Sequence, residues 1–334
     1  MKLGIVGSGM IVRDLLSFIH NIQEIEIVHI SGTKRSEETV KDMCQKHQIQ
    51  RWSSDYEELL NDENVEVIYV AVPNHIHYEY AKRALEANKH VILEKPFTTT
   101  YEESLELKQL AIDKHLFLWE AITNQYLPNY KLMKDLIKQI GDIKIINCNY
   151  SQYSSRYDAF KEGIILPAFD VTKAGGALMD LNIYNIHFMA GIFGKPQNIE
   201  YYPNIKHNID TSGILILEYE DFKCVCIGAK DCGAPLNNTI QGDKGSIVVK
   251  TPLSMISEIE LTLNKQETVI YNINNTEVHR MHDEFKEMEI MYREKDYEQC
   301  YRRLEESMLV SEIQTIARRK AGIIFEDDKK YIEA

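Results

Sequence analysis

Gly4-Ile5-Val6-Gly7-Ser8-Gly9-Met10-Ile11 decides how this chain is read. An aliphatic run over 2–6 ends in a Gly-x-Gly turn. The turn opens a stretch of helical spacing over 10–22, with Ile11, Leu15, Leu16 and Ile19 on one face. Strand, glycine turn and helix, in that order, make the phosphate-binding corner of a dinucleotide fold. Gly7 permits the tight turn, and Gly9 lets the backbone approach a pyrophosphate against the helix N-terminus. Gly7, Ser8, Gly9, Met10 and Ile11 are therefore the first expected cofactor contacts. Val12 occupies the third fingerprint position, where Gly or Ala is usual, which implies a slightly displaced helix. The alternative is a turn with a structural role only; the flanking strand and helix favour the dinucleotide reading.

Working outward, strands and helices alternate through about residue 122. Strands are expected at 25–30, 65–72, 90–93 and 116–119, and helices at 36–47, 55–60, 75–87 and 100–114. Continuous apolar strands between helices mean a doubly wound parallel sheet covered on both faces. Beyond 123 the pattern changes to consecutive strands at 143–152, 199–202, 213–219, 223–229, 238–241, 246–250, 258–263 and 268–271. Two helices accompany them, at 176–193 and 296–319. The expected architecture is α/β: a Rossmann domain over 1–122, then an α+β domain over 123–334 with an open, mostly antiparallel sheet.

With 334 residues the chain is long enough for two domains, and 44% hydrophobic with 27% charged residues fits a soluble globular protein. A formal charge of -13 argues against a nucleic-acid partner, whose phosphates need a basic face. No apolar run is long enough to span a bilayer, and the chain starts directly on a strand. No membrane association and no signal peptide are expected, and the expected location is cytoplasmic. Cys44, Cys148, Cys224, Cys226, Cys232 and Cys300 are scattered; the Cys224/Cys226/Cys232 group has no CxxC pair or close histidine, so buried reduced thiols rather than a metal are expected there.

The second strand ends in His29-Ile30-Ser31-Gly32-Thr33-Lys34-Arg35-Ser36, with no acid before Glu37. A carboxylate there would read the ribose hydroxyls of NAD(H). Small hydroxyls with Lys34 and Arg35 suit a 2′-phosphate instead, so NADP(H) is expected over NAD(H), with Thr33 and Arg35 as contacts. Val72-Pro73-Asn74-His75-Ile76-His77 follows a buried strand and faces the ligand crevice. Val72, Pro73 and Asn74 are expected cofactor contacts. His77 either joins them or bonds within the first turn of the next helix. Glu94-Lys95-Pro96 holds the same position one strand later. An ammonium there polarises a substrate hydroxyl or carbonyl, Glu94 orients it, and both residues are expected beside the cofactor. In the second domain, Gly175-Gly176 leads into a helix carrying Asp180 and Tyr184 on one face, with His187 nearby.

These stretches, in this order, resemble the Gfo/Idh/MocA family of NAD(P)-dependent oxidoreductases over essentially the whole chain. The resemblance rests on the glycine turn, Pro73-Asn74-His75-Ile76-His77, the 88–96 stretch ending in Glu94-Lys95-Pro96, and Gly175-Gly176-Ala177-Leu178-Met179-Asp180-Leu181-Asn182-Ile183-Tyr184. It implies a reversible hydride transfer between a nicotinamide cofactor and a secondary alcohol or ketone of a sugar, polyol or diol. Lys95, Asp180 and Tyr184 match the catalytic set. Tyr184 exchanges the hydroxyl proton, Lys95 stabilises the alkoxide and lowers the phenol pKa, and Asp180 orients the pair. A tyrosine in this role is similar to the dihydrodiol dehydrogenase and glucose–fructose oxidoreductase side of the family. Tyr153, Arg156 and Tyr184 fall where substrate contacts are implied. The C-terminal sheet implies a homodimer or homotetramer. Asn182 stands where glycine is usual, and Asn124-Gln125 where an aromatic-Arg pair is common. The competing reading is a weakly active or inactive dinucleotide- or sugar-sensing protein on the same fold.

Overall fold

A computed structural model describes residues 1–332. The chain forms two compact units, Met1–Ala121 with Val278–Met308, and Ile122–Glu277 with Leu309 onward.

The first unit holds six parallel strands: β1 (Lys2–Val6), β2 (Glu26–Ser31), β3 (Arg51–Ser53), β4 (Val67–Val70), β5 (His90–Glu94) and β6 (Leu118–Ala121). Their order is β3-β2-β1-β4-β5-β6, the doubly wound arrangement expected from the alternation. Helices α1 (Met10–Phe18), α2 (Glu37–His47), α3 (Tyr56–Leu60), α4 (His77–Glu86) and α5 (Tyr101–Asp113) connect them. Asp55 caps α3 by accepting from the Glu57 amide, and Thr100 caps α5 by accepting from that of Glu103. Register aligns Val6 with Ser31 and Val70, and Val70 with Leu93. The glycine turn, the 71–74 segment and Glu94-Lys95 therefore all leave the sheet at its carboxyl edge. A core of Val6, Ile68, Val70, Val91, Leu93, Leu107 and Leu118 lies against one face, together with Leu304 and Met308.

The second unit contains α6 (Pro128–Leu136), β7 (Ile143–Ser151), α7 (Tyr157–Lys161), α8 (Ala177–Asp180) and α9 (Asn182–Phe193). Strands β8 (Asn198–Lys206), β9 (Ile209–Glu218), β10 (Lys223–Ala229), β11 (Asn238–Gly242), β12 (Gly245–Val249), β13 (Ile259–Leu263) and β14 (Val269–Tyr271) follow. The eight strands lie in the order β14-β13-β12-β11-β7-β10-β9-β8, antiparallel except for the parallel pair β7 and β10. Helix α9 packs on β7 and β10. Ile146, Cys148, Cys224, Cys226, Leu215 and Leu217 are buried, whereas Ile145, Tyr202 and Ile214, of alternate parity, are exposed. Period-two alternation thus gives this sheet one packed face and one open apolar face.

Several elements depart from the sequence expectation. The helix expected over 176–193 breaks at Leu181 into α8 and α9. Strand β3 has three residues and is a strand because it pairs with β2 at His29, Ile30 and Ser31. The 278–308 segment, read from sequence as part of the second domain, packs in the first unit through α10 (His282–Glu294) and the start of α11 (Tyr297–Lys320). Phe285 stacks edge-on against Tyr69 of β4, and Cys300 reaches the Leu118 carbonyl. Nothing local to that segment states which sheet its apolar face covers. No helix among the described residues is long and apolar enough to cross a membrane.

Candidate active site

Gly7 has φ +131°, and a Cβ there would lie 2.2 Å from the Ala71 carbonyl oxygen. The first glycine is therefore required by the approach of β4 as well as by the turn. Gly9 is different: a Cβ there would meet nothing within 4 Å. Gly9 is the N-cap of α1, no side chain caps that helix, and its first turn carries no acid. Open backbone at an uncapped helix start fits a pyrophosphate. Met10 is exposed, whereas Val12 is fully buried and packs the helix inward.

The 33–36 turn is tied to itself. Ser36 Oγ accepts from the Thr33 amide at 2.9 Å, and the Ser36 amide donates to the Thr33 carbonyl at 2.9 Å. Thr33, Lys34 and Arg35 are left exposed on a defined turn at the end of β2.

His77 takes neither of the roles expected from sequence. It is buried, one ring nitrogen meeting the Val72 carbonyl at 2.9 Å and the other the Pro96 carbonyl at 2.8 Å. Burial holds its pKa below the ordinary imidazole value. His77 is a strut joining the loop that carries Pro73 and Asn74 to the loop that carries Lys95, and both its polar atoms are spent inside the unit.

Glu94 is also buried. Tyr69 donates its phenol to one carboxylate oxygen, and the other accepts from the Lys95 amide at 3.1 Å. Burial pushes the Glu94 carboxyl upward and likewise that of Glu284 on α10, which Glu94 raises further. The peptide between Lys95 and Pro96 is cis. The Glu94 carboxylate thus fixes the backbone from which Lys95 departs.

In the second unit Gly176 has φ +107°, and a Cβ there would lie 2.1 Å from Oδ1 of Asp210. Asp210 Oδ2 accepts from the Leu178 amide and the Tyr201 phenol, each at 2.7 Å, which anchors the start of α8. Asp180 ends α8, and its Oδ2 accepts from Lys230 Nζ at 2.8 Å. Tyr184 lies four residues on, in the first turn of α9, buried and 5.8 Å from the Tyr150 ring. The Tyr184 carbonyl accepts from Asn124 Nδ2 at 3.0 Å, and His187 meets Gln125 Nε2 at 3.0 Å. Asn124-Gln125 therefore clamps α9. Asn182 donates to the Cys226 carbonyl at 3.1 Å, and Asn185 links Asn182 to the Ile227 carbonyl. Tyr153 is exposed and donates to Asp158 at 2.7 Å; the Arg156 amide donates to Ser154 Oγ at 3.2 Å.

Sequence reading missed Lys230 and Asp210. Lys230-Asp231 follows the apolar strand β10 directly, the same signal that singled out Glu94-Lys95. Cys148 joins Cys224 and Cys226 across β7 and β10, with sulfurs within 4.8 Å of one another, and no fourth ligand among the described residues. Burial pushes the Cys224 thiol up, and the bond with Cys148 raises that of Cys226.

Residues 1–122 match the family model described as "Oxidoreductase family, NAD-binding Rossmann fold", and residues 130–248 match the "GFO/IDH/MocA C-terminal domain". The chain is 28% identical to scyllo-inositol 2-dehydrogenase (NADP(+)) of Bacillus subtilis, covering 98% of this chain and 99% of that one. It is 28% identical to trans-1,2-dihydrobenzene-1,2-diol dehydrogenase of Macaca fuscata fuscata, again over 98% and 99%. Among solved structures, a 3-ketoreductase from Actinomadura kijaniata with NADP and TDP-benzene superposes with TM-score 0.84 at 17% identity, over 96% and 97% of the two chains. Levoglucosan dehydrogenase with NADH and levoglucosan superposes with TM-score 0.81 at 17% identity, also over 96% and 97%. Family models match residues 1–122 and 130–248, and the fold agrees over 96% of the chain: this protein belongs to the GFO/IDH/MocA oxidoreductase family.

Proposed function

We propose that this chain transfers a hydride between NADP(H) and a secondary alcohol or ketone of a sugar, polyol or diol. The observation that carries the reading is the register of the first sheet. It brings Gly7-Ser8-Gly9, Val72-Pro73-Asn74 and Glu94-Lys95 to one carboxyl edge. Ligands of open parallel sheets bind at that edge. The open backbone at Gly9 and the uncapped start of α1 fit the pyrophosphate. Thr33 and Arg35, with no acid at the end of β2, favour the 2′-phosphate of NADP(H). The name of the Bacillus subtilis relative supports the same choice.

When bound, the nicotinamide supplies or accepts the hydride. Tyr184 exchanges the hydroxyl proton, Lys95 presents a positive charge to the developing alkoxide, and Asp180 orients the phenol. Tyr153 and Arg156 contribute to substrate recognition. In this reading the first unit binds cofactor and the second binds substrate. The open apolar face of the second sheet, with Ile145, Ile214 and Tyr202 exposed, suits a homodimer or homotetramer. The location proposed is the cytoplasm.

The test mixes the protein with NADPH or NADH, or their oxidised forms. The substrate panel is scyllo- and myo-inositol, trans-diols, anhydro sugars, aldoses and ketoses, followed at the nicotinamide absorbance. Turnover with a polyol or its ketone, faster with the phosphorylated cofactor, is expected. Tight cofactor binding without turnover across the panel would favour a sensor.

A further inference from the structure

Lys230 is an unusual place for a lysine. Its side chain is 2% exposed, and an ammonium taken that far from water costs several kcal/mol unless it is paired. Everything around it is fixed. Its amide donates to the Thr211 carbonyl at 2.8 Å, and its carbonyl accepts from the Ser154 amide at 2.9 Å, so the root of the side chain is held. Its Nζ donates to the Ala168 carbonyl at 2.6 Å and sits 4.6 Å above the Phe169 ring. The same Ala168 carbonyl accepts from the Gly176 amide at 3.2 Å, so the cation is tied to the turn that starts α8. Its direct ion-pair partner is Asp180 Oδ2, at 2.8 Å, and its charge also acts on the buried Asp210.

The two partners differ in a telling way. Lys230 is buried, whereas the Asp180 side chain is one-third exposed. Asp180 does not need Lys230 for its own solvation; Lys230 needs Asp180. A methionine or leucine would fill the same volume without the desolvation cost. The charge is thus explained by what it does to Asp180, whose carboxylate it holds at one point on the rim of the unit. Tyr184 stands four residues further along the chain, buried in the first turn of α9.

We infer that Lys230 is a positioning residue for the reaction: it fixes one oxygen of Asp180 and so sets the orientation in which Asp180 supports Tyr184. This rests on the roles proposed above for Asp180 and Tyr184. In consequence one Asp180 oxygen is committed to Lys230, and the proton moves through Tyr184.

The experiment is a double-mutant cycle with Lys230→Met, Lys230→Gln and Asp180→Asn, assayed with NADP+ and the fastest polyol of the panel. Lys230→Gln keeps a donor for the Ala168 carbonyl while removing the charge. Each Lys230 variant is expected to lower kcat about 10- to 100-fold, part of the 10²–10⁴ that positioned acid–base groups contribute, with KM and the cofactor Kd nearly unchanged. In the Asp180→Asn background neither Lys230 substitution should lower kcat further, because the ion pair is already gone. A lysine with only a structural role would give losses that multiply, or a change in KM and Kd alone; either result overturns the inference. Where Lys230→Met does not fold, Lys230→Gln decides; if neither folds, Lys230 is a structural cation and the inference fails. Full activity in Asp180→Asn, or no turnover by the parent protein across the panel, would instead sink the proposed function, and this inference with it.

Discussion

Gly228 faces Asn182 so closely that a Cβ on the glycine would lie 2.8 Å from the Cβ of the asparagine. Asn182 is buried and bonds to the backbone of β10, so the space it takes on the helix is returned by the glycine on the strand. Asn182 replaces a family glycine without loss of packing because the small residue stands opposite it. Gly228→Ala pushes α9 away from β10 and is expected to cost about 1–3 kcal/mol, the usual range for overpacking. Urea unfolding measures this directly. An alanine variant as stable as the parent contradicts the close approach.

Asp210 makes stability depend on pH in a defined direction. Burial raises its carboxyl from the ordinary 3.8 to about 6. The folded state therefore holds a proton that the unfolded state has lost between these values. Stability falls as pH rises from about 4 to about 6, and the loss, about 3 kcal/mol, persists above that. Asp210→Asn has no proton to lose. The stability difference between variant and parent should thus shift toward the variant across this window, in denaturation curves at pH 4 and pH 7. A difference that does not change with pH would rule out the raised carboxyl.

Arg35 sits exposed on a pinned turn and is proposed to meet the 2′-phosphate. Hydrogen bonds to charged groups are worth about 1.5–3 kcal/mol, so Arg35→Ala should weaken NADPH about 10- to 100-fold and leave NADH nearly unchanged. Fluorescence titration of both cofactors separates the cases. Equal weakening of both would remove Arg35 from phosphate recognition.

Tyr184→Phe deletes one oxygen from a buried ring and leaves the backbone contact with Asn124 in place. Its kcat should drop about 10²–10⁴-fold with folding and cofactor binding retained. Lys95→Ala should behave alike in kcat. Full turnover by either variant would displace that residue from the proposed chemistry.

Five of the six cysteines are buried and Cys232 is exposed. An aromatic disulfide reagent should titrate one thiol rapidly in the native protein and the remaining five after denaturation. Cys232→Ser should abolish the fast phase.

Local pattern carried most of the first unit into view. Continuous aliphatic strands, a glycine turn and helix caps such as Asp55 and Thr100 are short-range features, and each acts within a few residues of itself. The same holds for the strand-end position of Lys95, whereas the single helix expected to carry Asp180 and Tyr184 on one face breaks between them at Leu181. What was hidden depended on partners far along the chain. His77 reads as a cofactor contact or a bond within its own helical turn until the Pro96 carbonyl is found on its ring. Cys148 reads as a lone thiol until β7 lies beside β10. The 278–308 segment has an amphipathic helix but no local sign of which sheet it covers.

Fold class and family pattern were legible in the sequence, because they follow from periodicity, turn chemistry and residue type. The tertiary structure alone decided where each charge is spent. Asp180 faces Lys230 across fifty residues of chain, and Asp210 reaches back to the start of α8. Burial sets the cost of each of those charges, and burial is a property of packed neighbours that no local stretch of sequence contains.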